Sequence, residues 1–193
     1  MLELVTAAAV EPVLIDEVKD YLRVDGDTED ALISALIITA REHLEGRDGM
    51  LGRALVRQTW DWTFDMFPPG KLKVPLPPLI SVTSITYQSN GSPTEETYSS
   101  ASYTVKASEN GGQIYPNYGT SWPTTLGVPN AITVRFIAGY GGSWNDVPAP
   151  IRLAMQYLIR HWYDNREAFS MADFREVPAT VGALVGNYRV RAF

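Results

Sequence analysis

The stretch Arg57-Gln58-Thr59-Trp60-Asp61-Trp62-Thr63-Phe64-Asp65-Met66-Phe67 decides the fold. Trp60, Trp62, Phe64 and Met66 fall on one side of an extended chain, and Thr59, Asp61, Thr63 and Asp65 on the other. A period of two marks a half-buried strand, because successive strand side chains point to opposite faces. Pro68-Pro69-Gly70 then turns the chain. Further along, Ser81 to Tyr87 reads as a strand leading to an Asn90-Gly91 turn. Tyr103 to Ala107 and Gln113 to Tyr115 read as a hairpin about Asn110-Gly111-Gly112. Ile132, Val134, Phe136 and Ala138 alternate in a strand that stops at Gly139-Tyr140-Gly141-Gly142. Lys73-Val74-Pro75-Leu76-Pro77-Pro78-Leu79 carries three prolines, which have no ladder donor, so it is predicted as an edge or an extended crossing segment.

Helical periodicity takes over on both sides of this block. Leu14, Val18 and Tyr21/Leu22 recur at helical spacing after Pro12, and Asp25-Gly26-Asp27 is predicted to break that helix. A longer helix follows from Thr28 to Glu45, with Ile33, Leu36, Ile37, Ala40 and Leu44 as its apolar stripe and Gly46 or Gly49 as its stop. Val147-Pro148-Ala149-Pro150 opens another helix, since proline is tolerated in a first turn. Its stripe is Ile151, Ala154, Met155, Leu158 and Trp162, and it ends about Asn165-Arg166-Glu167. A polar loop over Ser170 to Glu176 leads to Pro178, which opens a short last helix with Val181, Leu184, Val185 and Tyr188 on one side. The expected class is α+β. Residues 1–50 and 145–193 form a helical core, and residues 51–144 are an inserted antiparallel β-rich region.

Composition narrows the function. At 193 residues and 45% apolar, the chain is long enough for one cored domain with an insertion. There is no cysteine, which excludes disulfide scaffolds, thiol nucleophiles and thiolate metal sites. No apolar run is long enough to span a membrane. Met1-Leu2-Glu3-Leu4 lacks the basic segment of a secretory signal, so synthesis in the cytoplasm is expected. The net charge of −6 argues against gripping nucleic acid through the overall field. The charge is uneven. Residues 1–50 hold 12 acids against four bases, leaving ten acids and 12 bases for the remainder. A solvated acidic helical face accounts for this, as does a surface that repels DNA or meets a basic partner.

Motifs for catalysis fail one by one. His43 and His161 are the only histidines, neither in a His-Glu-x-x-His pattern. Gly139-x-Gly141-Gly142 follows a strand but runs into Ser143-Trp144-Asn145-Asp146, not the Gly-x-Gly-x-x-Gly that opens a helix onto a phosphate. No serine lies in a Gly-x-Ser-x-Gly elbow. Asp61 and Asp65 share a strand face and read as solvated acids before they read as a glycosidase pair. No catalytic residue, metal ligand or cofactor is therefore expected. Trp60, Trp62, Tyr115, Tyr118, Trp122, Tyr140 and Trp144 remain ambiguous: a sugar-binding platform, or core and inter-subunit contacts.

As an ordered set, these segments resemble a known family. Val18-Lys19-Asp20-Tyr21-Leu22-Arg23-Val24-Asp25 precedes Asp30 and the helix Ala31 to Glu45. Leu76-Pro77-Pro78-Leu79-Ile80-Ser81-Val82-Thr83-Ser84-Ile85 makes a proline-rich entry into a strand. Trp122-Pro123, Ala138-Gly139-Tyr140-Gly141 and Val147-Pro148 follow in order. Trp162-Tyr163-Asp164-Asn165-Arg166-Glu167, then Val177-Pro178 through Leu184 to Tyr188-Arg189, complete the set. Across nearly the whole chain this resembles the head–tail connector, or adaptor, family of long-tailed phages and phage-derived gene transfer agents.

That resemblance implies a non-enzymatic subunit of a dodecameric ring in the neck of a virion or phage-like particle, made in the host bacterial cytoplasm. The implied partners are further copies of the chain, the portal protein and the next neck or tail protein, such as a stopper or tail terminator. DNA would pass through the ring without sequence-specific binding, and no membrane is involved. Val181, Leu184, Val185, Tyr188, Arg189, Arg191 and Phe193 become the candidates for the portal interface, and Asp27, Glu29 and Asp30 for an acidic channel wall. The alternatives are another neck or tail-completion protein, or a carbohydrate-binding β module.

Overall fold

The computed structural model describes residues 1–90, 94–165 and 179–190. The chain divides into two compact units, Met1–Ala8 with Arg57–Tyr140, and Ala9–Val56 with Gly141–Phe193.

The first unit is built on the alternating stretch. Strand β2 spans Gln58–Phe64 and pairs antiparallel with a strand that follows much later, β8 (Ile132–Ala138), in continuous register from Gln58↔Ala138 to Phe64↔Ile132. On the other side of β8 lies β4 (Leu79–Gln88), with two register shifts before Ser84. Adding β1 (Leu2–Thr6) and β5 (Glu95–Thr97) gives a five-stranded antiparallel sheet in the order β1-β2-β8-β4-β5. The central strand is the most covered: Ile132, Val134, Phe136 and Ala138 are fully buried, each large side chain contributing roughly 1.5–3 kcal/mol by leaving water.

A second sheet of three strands has the order β3-β7-β6, from β3 (Leu72–Val74), β6 (Tyr103–Lys106) and β7 (Gly112–Pro116). Lys73 and Val74 of the proline-rich segment lie in the edge strand β3, its three prolines lie outside both strands, and Leu79 enters β4. The expected hairpin forms between β6 and β7, with Val105 opposite Ile114. Gly112 is required where it sits: a Cβ there would lie 2.1 Å from a Leu79 methyl carbon. The Asn90-Gly91 turn falls partly outside the described residues.

The second unit holds α1 (Ile15–Leu22), α2 (Asp30–Leu44), α3 (Ala149–Asp164) and α4 (Ala179–Val185). Both α2 and α4 pack against α3, through Ile33, Leu36, Ile37, Ala40 and Leu44 of α2 and Val181 and Val185 of α4, all buried. The α3 stripe Ile151, Ala154, Met155, Leu158 and Trp162 is buried, with Ile159 beside it.

Three expectations need correction. Residues 1–8 belong with the sheet, not with the helices: β1 lines the outer edge of β2, Leu2 opposite Trp62 and Leu4 opposite Trp60. Residues 51–56 and 141–144 belong with the helices, where Leu51, Ala54, Leu55 and Val56 are core. And α1 stops at Arg23, not at Gly26. Arg23 takes the left-handed conformation (φ 61°), its N–H reaching the Asp20 carbonyl at 3.3 Å while the Val24 N–H reaches that of Lys19 at 3.1 Å. That pair of bonds closes the helix end as a glycine would.

Candidate functional site

The polar groups singled out as possible chemistry are absorbed by structure. Asp61 accepts a bidentate pair of hydrogen bonds from Arg135 across the β2–β8 ladder, at 2.8 and 2.7 Å. Asp65 accepts from the Asn130 N–H at 2.8 Å, so the two acids serve different partners. In the loop Gly139 to Gly142 the place of a phosphate is taken by a carboxylate. Asp146 accepts from the Ser143 N–H at 2.9 Å, and a Cβ on Gly141 would meet its Oδ2 at 2.1 Å. His43 stands edge-on to Trp162, ring centroids 6.1 Å apart, and burial lowers its pKa from the ordinary value. Among the described residues no group of three His, Cys, Asp or Glu could hold a metal ion, and no helix is long and apolar enough to cross a membrane.

A buried ion network braces the second unit. Glu45, only 8% exposed, accepts from the Leu55 N–H at 2.7 Å through Oε1 and from Arg41 at 3.1 Å through Oε2. Arg41 also reaches Glu11 at 2.8 Å. A carboxylate thus satisfies a backbone donor of the core segment 51–56 while its charge is matched from α2.

The acidic start of this unit is only partly free. Lys19 bridges Asp27 at 2.9 Å and Asp30 at 2.8 Å, and these two hydrogen-bonded acids raise its pKa. Glu29 accepts a hydrogen bond from the Tyr163 hydroxyl. Of the three channel-wall candidates, Asp27 alone is well exposed (89% of its side chain), and it faces a lysine. Along α1 and the turn to α2, Asp16, Asp20 and Asp25 are exposed and have no ion-pair partner among the described residues. The outward face of α2 carries a second signal. Leu32 and Ile38, with Ala35 between them, are exposed, Ile38 by 42%. α2 thus carries a short aliphatic strip, Leu32, Ala35 and Ile38, on the side away from its buried stripe.

The carboxyl end divides into inward and outward residues. Val181 and Val185 are buried in their own unit, so neither is available as a portal anchor. Leu184 and Tyr188 are half-buried, and Arg189 is exposed. Arg189 donates to the Met50 carbonyl at 3.0 Å and the Val190 N–H to that of Leu51 at 2.9 Å, strapping the tail to the 50–52 turn. Arg191 and Phe193 lie outside the described residues.

The aromatics of the sheet unit turn their faces to one another. Trp122 stacks on Phe67 at 4.8 Å and donates to the Gly70 carbonyl, and Tyr98 stacks on Tyr103 at 5.9 Å. Trp62 and Phe64 are 4.4 Å apart, and Trp60 donates to Gln58. Trp144, in the helical unit, lies under Arg152. Rings engaged this way do not make the flat, open platform that sugars stack on. Tyr118 is fully exposed.

Sequence reasoning missed one surface. On the small sheet Lys73 and Lys106 are both register partners of Gln113, so the three side chains share a face. Lys71 joins them, donating to Gln113 at 3.2 Å and lying over the Tyr115 ring at 5.7 Å. All three lysines are exposed, and none has an ion-pair partner among the described residues. Only the alternation Lys71-Leu72-Lys73 hinted at it; Lys106 is brought in by the hairpin.

No protein-family model and no curated protein matches the chain. Solved structures do. The chain is similar to one in the neck of an empty GTA particle computed with C6 symmetry, with TM-score 0.79 and 22% identity, covering 100% of this chain and 97% of that one. A chain of the virion of a native gene transfer agent particle gives TM-score 0.79 at 21% identity over the same shares. One in the neck of a native GTA particle computed with C12 symmetry gives 0.72 at 19%, again over 100% and 97%. The fold is the one these particle chains have. It is shared end to end, both units included.

Proposed function

We propose that the chain is a structural subunit of the neck of a tailed phage or gene transfer agent-like particle: an adaptor that forms a ring below the portal, lengthens the DNA channel and offers a platform to the next neck or tail protein. The observation that carries this reading is the extent of the likeness, 100% of this chain against 97% of a neck chain. A module borrowed for another purpose would share one unit; this chain shares the whole architecture. The neck structures were computed with C6 and C12 symmetry, which suits a closed ring of copies. A scaffolding role also suits polar groups spent on capping, bracing and ion pairs, and aromatics spent on packing.

The portal contact is assigned to the half-buried Leu184 and Tyr188 and the exposed Arg189, together with Arg191 and Phe193. Val181 and Val185 anchor that end instead. The test is to mix the purified protein with portal rings and with tail-tube ends from the same particle and image both. Binding to the portal as a ring is expected. Binding to tube ends alone would make the chain a tail-completion protein.

A further inference from the structure

Two exposed surfaces of this molecule carry opposite charge, each beside apolar side chains. One is the acidic segment running from α1 into α2, with Asp20, Asp25 and Asp27 exposed and the apolar outer face of α2 (Leu32, Ile38) following directly. The other is the lysine face of the small sheet, Lys71, Lys73 and Lys106 about Tyr115, with the wholly exposed Tyr118 in the loop after β7. Each has what the other lacks. The first offers carboxylates beside an uncovered aliphatic stripe; the second offers ammonium groups beside aromatic rings.

We infer that the lysine face of one copy docks on the acidic segment and outer α2 face of the next copy. This deepens the ring reading and rests on it. Two different patches meeting head to tail make a heterologous contact, the kind that closes into a ring when the rotation fits. Among the described residues the lysines have no ion-pair partner, so a neighbour's carboxylates need displace none there. On the other side Asp20 and Asp25 have no ion-pair partner among the described residues and gain one in the contact, while Asp27 shares its carboxylate with Lys19. The net charge of −6 disfavours duplex DNA as the occupant of so small a basic face. The same assignment gives Asp27 a subunit partner in place of a channel to line.

The experiment uses the full-length protein at high concentration, as a mixture of isotopically light and heavy copies. Carbodiimide joins lysine amines directly to carboxylates, and mass spectrometry then separates light–heavy products from those within one copy. Light–heavy links from Lys71, Lys73 or Lys106 to Asp20, Asp25 or Asp27 are expected, falling about tenfold at about 1 M salt, where screening is strong. The triple variant Lys71→Glu, Lys73→Glu, Lys106→Glu and the triple variant Asp20→Lys, Asp25→Lys, Asp27→Lys should each fail to self-associate. Placing all six changes in one chain should restore association, an outcome that misfolding cannot mimic. Association undiminished in either triple variant, or not restored in the sextuple one, would overturn the proposal. So would duplex DNA binding that the lysine changes abolish while self-association survives them. The two levels separate cleanly: rings closed through other surfaces sink this contact alone, whereas swap-dependent association in a protein absent from any neck sinks the ring reading alone.

Discussion

Glu45 carries more than its share of the helical unit. Replacing it with Gln keeps the shape but removes the charge that faces Arg41 and weakens the acceptor of the Leu55 N–H. Because the carboxylate is buried and the arginine only partly so, Glu45→Gln should cost about 2–3 kcal/mol in urea unfolding. An unchanged midpoint would mean the network is ornamental. His43 sets a pH dependence. Burial holds its folded pKa below the ordinary 6.5, so the unfolded chain takes up the proton first as pH falls. Its contribution is complete above the ordinary value and is lost as pH drops below it. Between about pH 7.5 and about pH 5.5 the wild-type Tm should fall more steeply than that of His43→Phe; parallel slopes would refute it. Residues are where the sequence was hardest to read. Nothing local marks Arg23 as the left-handed stop, because Gly26 three residues on was the cheaper choice, and α1 closes earlier only because the chain must turn back toward α2. Nor does Glu45 look different from any other helical glutamate until the 51–56 segment folds over it.

At the scale of elements, periodicity was a good guide wherever one face is buried. β2, β8, α2 and α3 were legible from their stripes, and the β6–β7 hairpin from its glycines. β1 was not, since five residues beside a run of alanines carry no turn signal and take their conformation from the free edge of β2. Deleting residues 1–6 should therefore bare that edge and raise aggregation, measured by light scattering on warming; an equally soluble truncation would show that β1 is dispensable. The last helix was read correctly in period, but two of its portal candidates are buried in their own unit. Val181 and Val185 point into the unit, so Val185→Ala should cost about 1–2 kcal/mol in urea unfolding, an effect on folding and not on docking. A stability within error of wild type would contradict the buried assignment. Removal of residues 191–193 keeps the Val190 and Arg189 straps and should leave the Tm unchanged while weakening portal docking. Docking that survives this truncation undiminished would move the portal contact off the tail.

For the molecule as a whole, the α+β architecture was visible in the order of segments, but the boundaries of its two parts were not. Residues 1–8 cross to the sheet and 51–56 to the helices because pairing and burial act between segments far apart in sequence. The proposed contact surfaces were half legible: the acidic start showed in the charge balance, the lysine face only in the strand register. The whole account turns on the chain closing a circle of copies at a particle neck. The most direct measurement is an electron cryomicroscopy reconstruction of the intact particle, in which the chain is located and its copies counted. A closed ring of 12 copies at the portal vertex, in line with the C12 neck, is the expected result. Density for this chain away from that vertex, or as isolated copies, would contradict it.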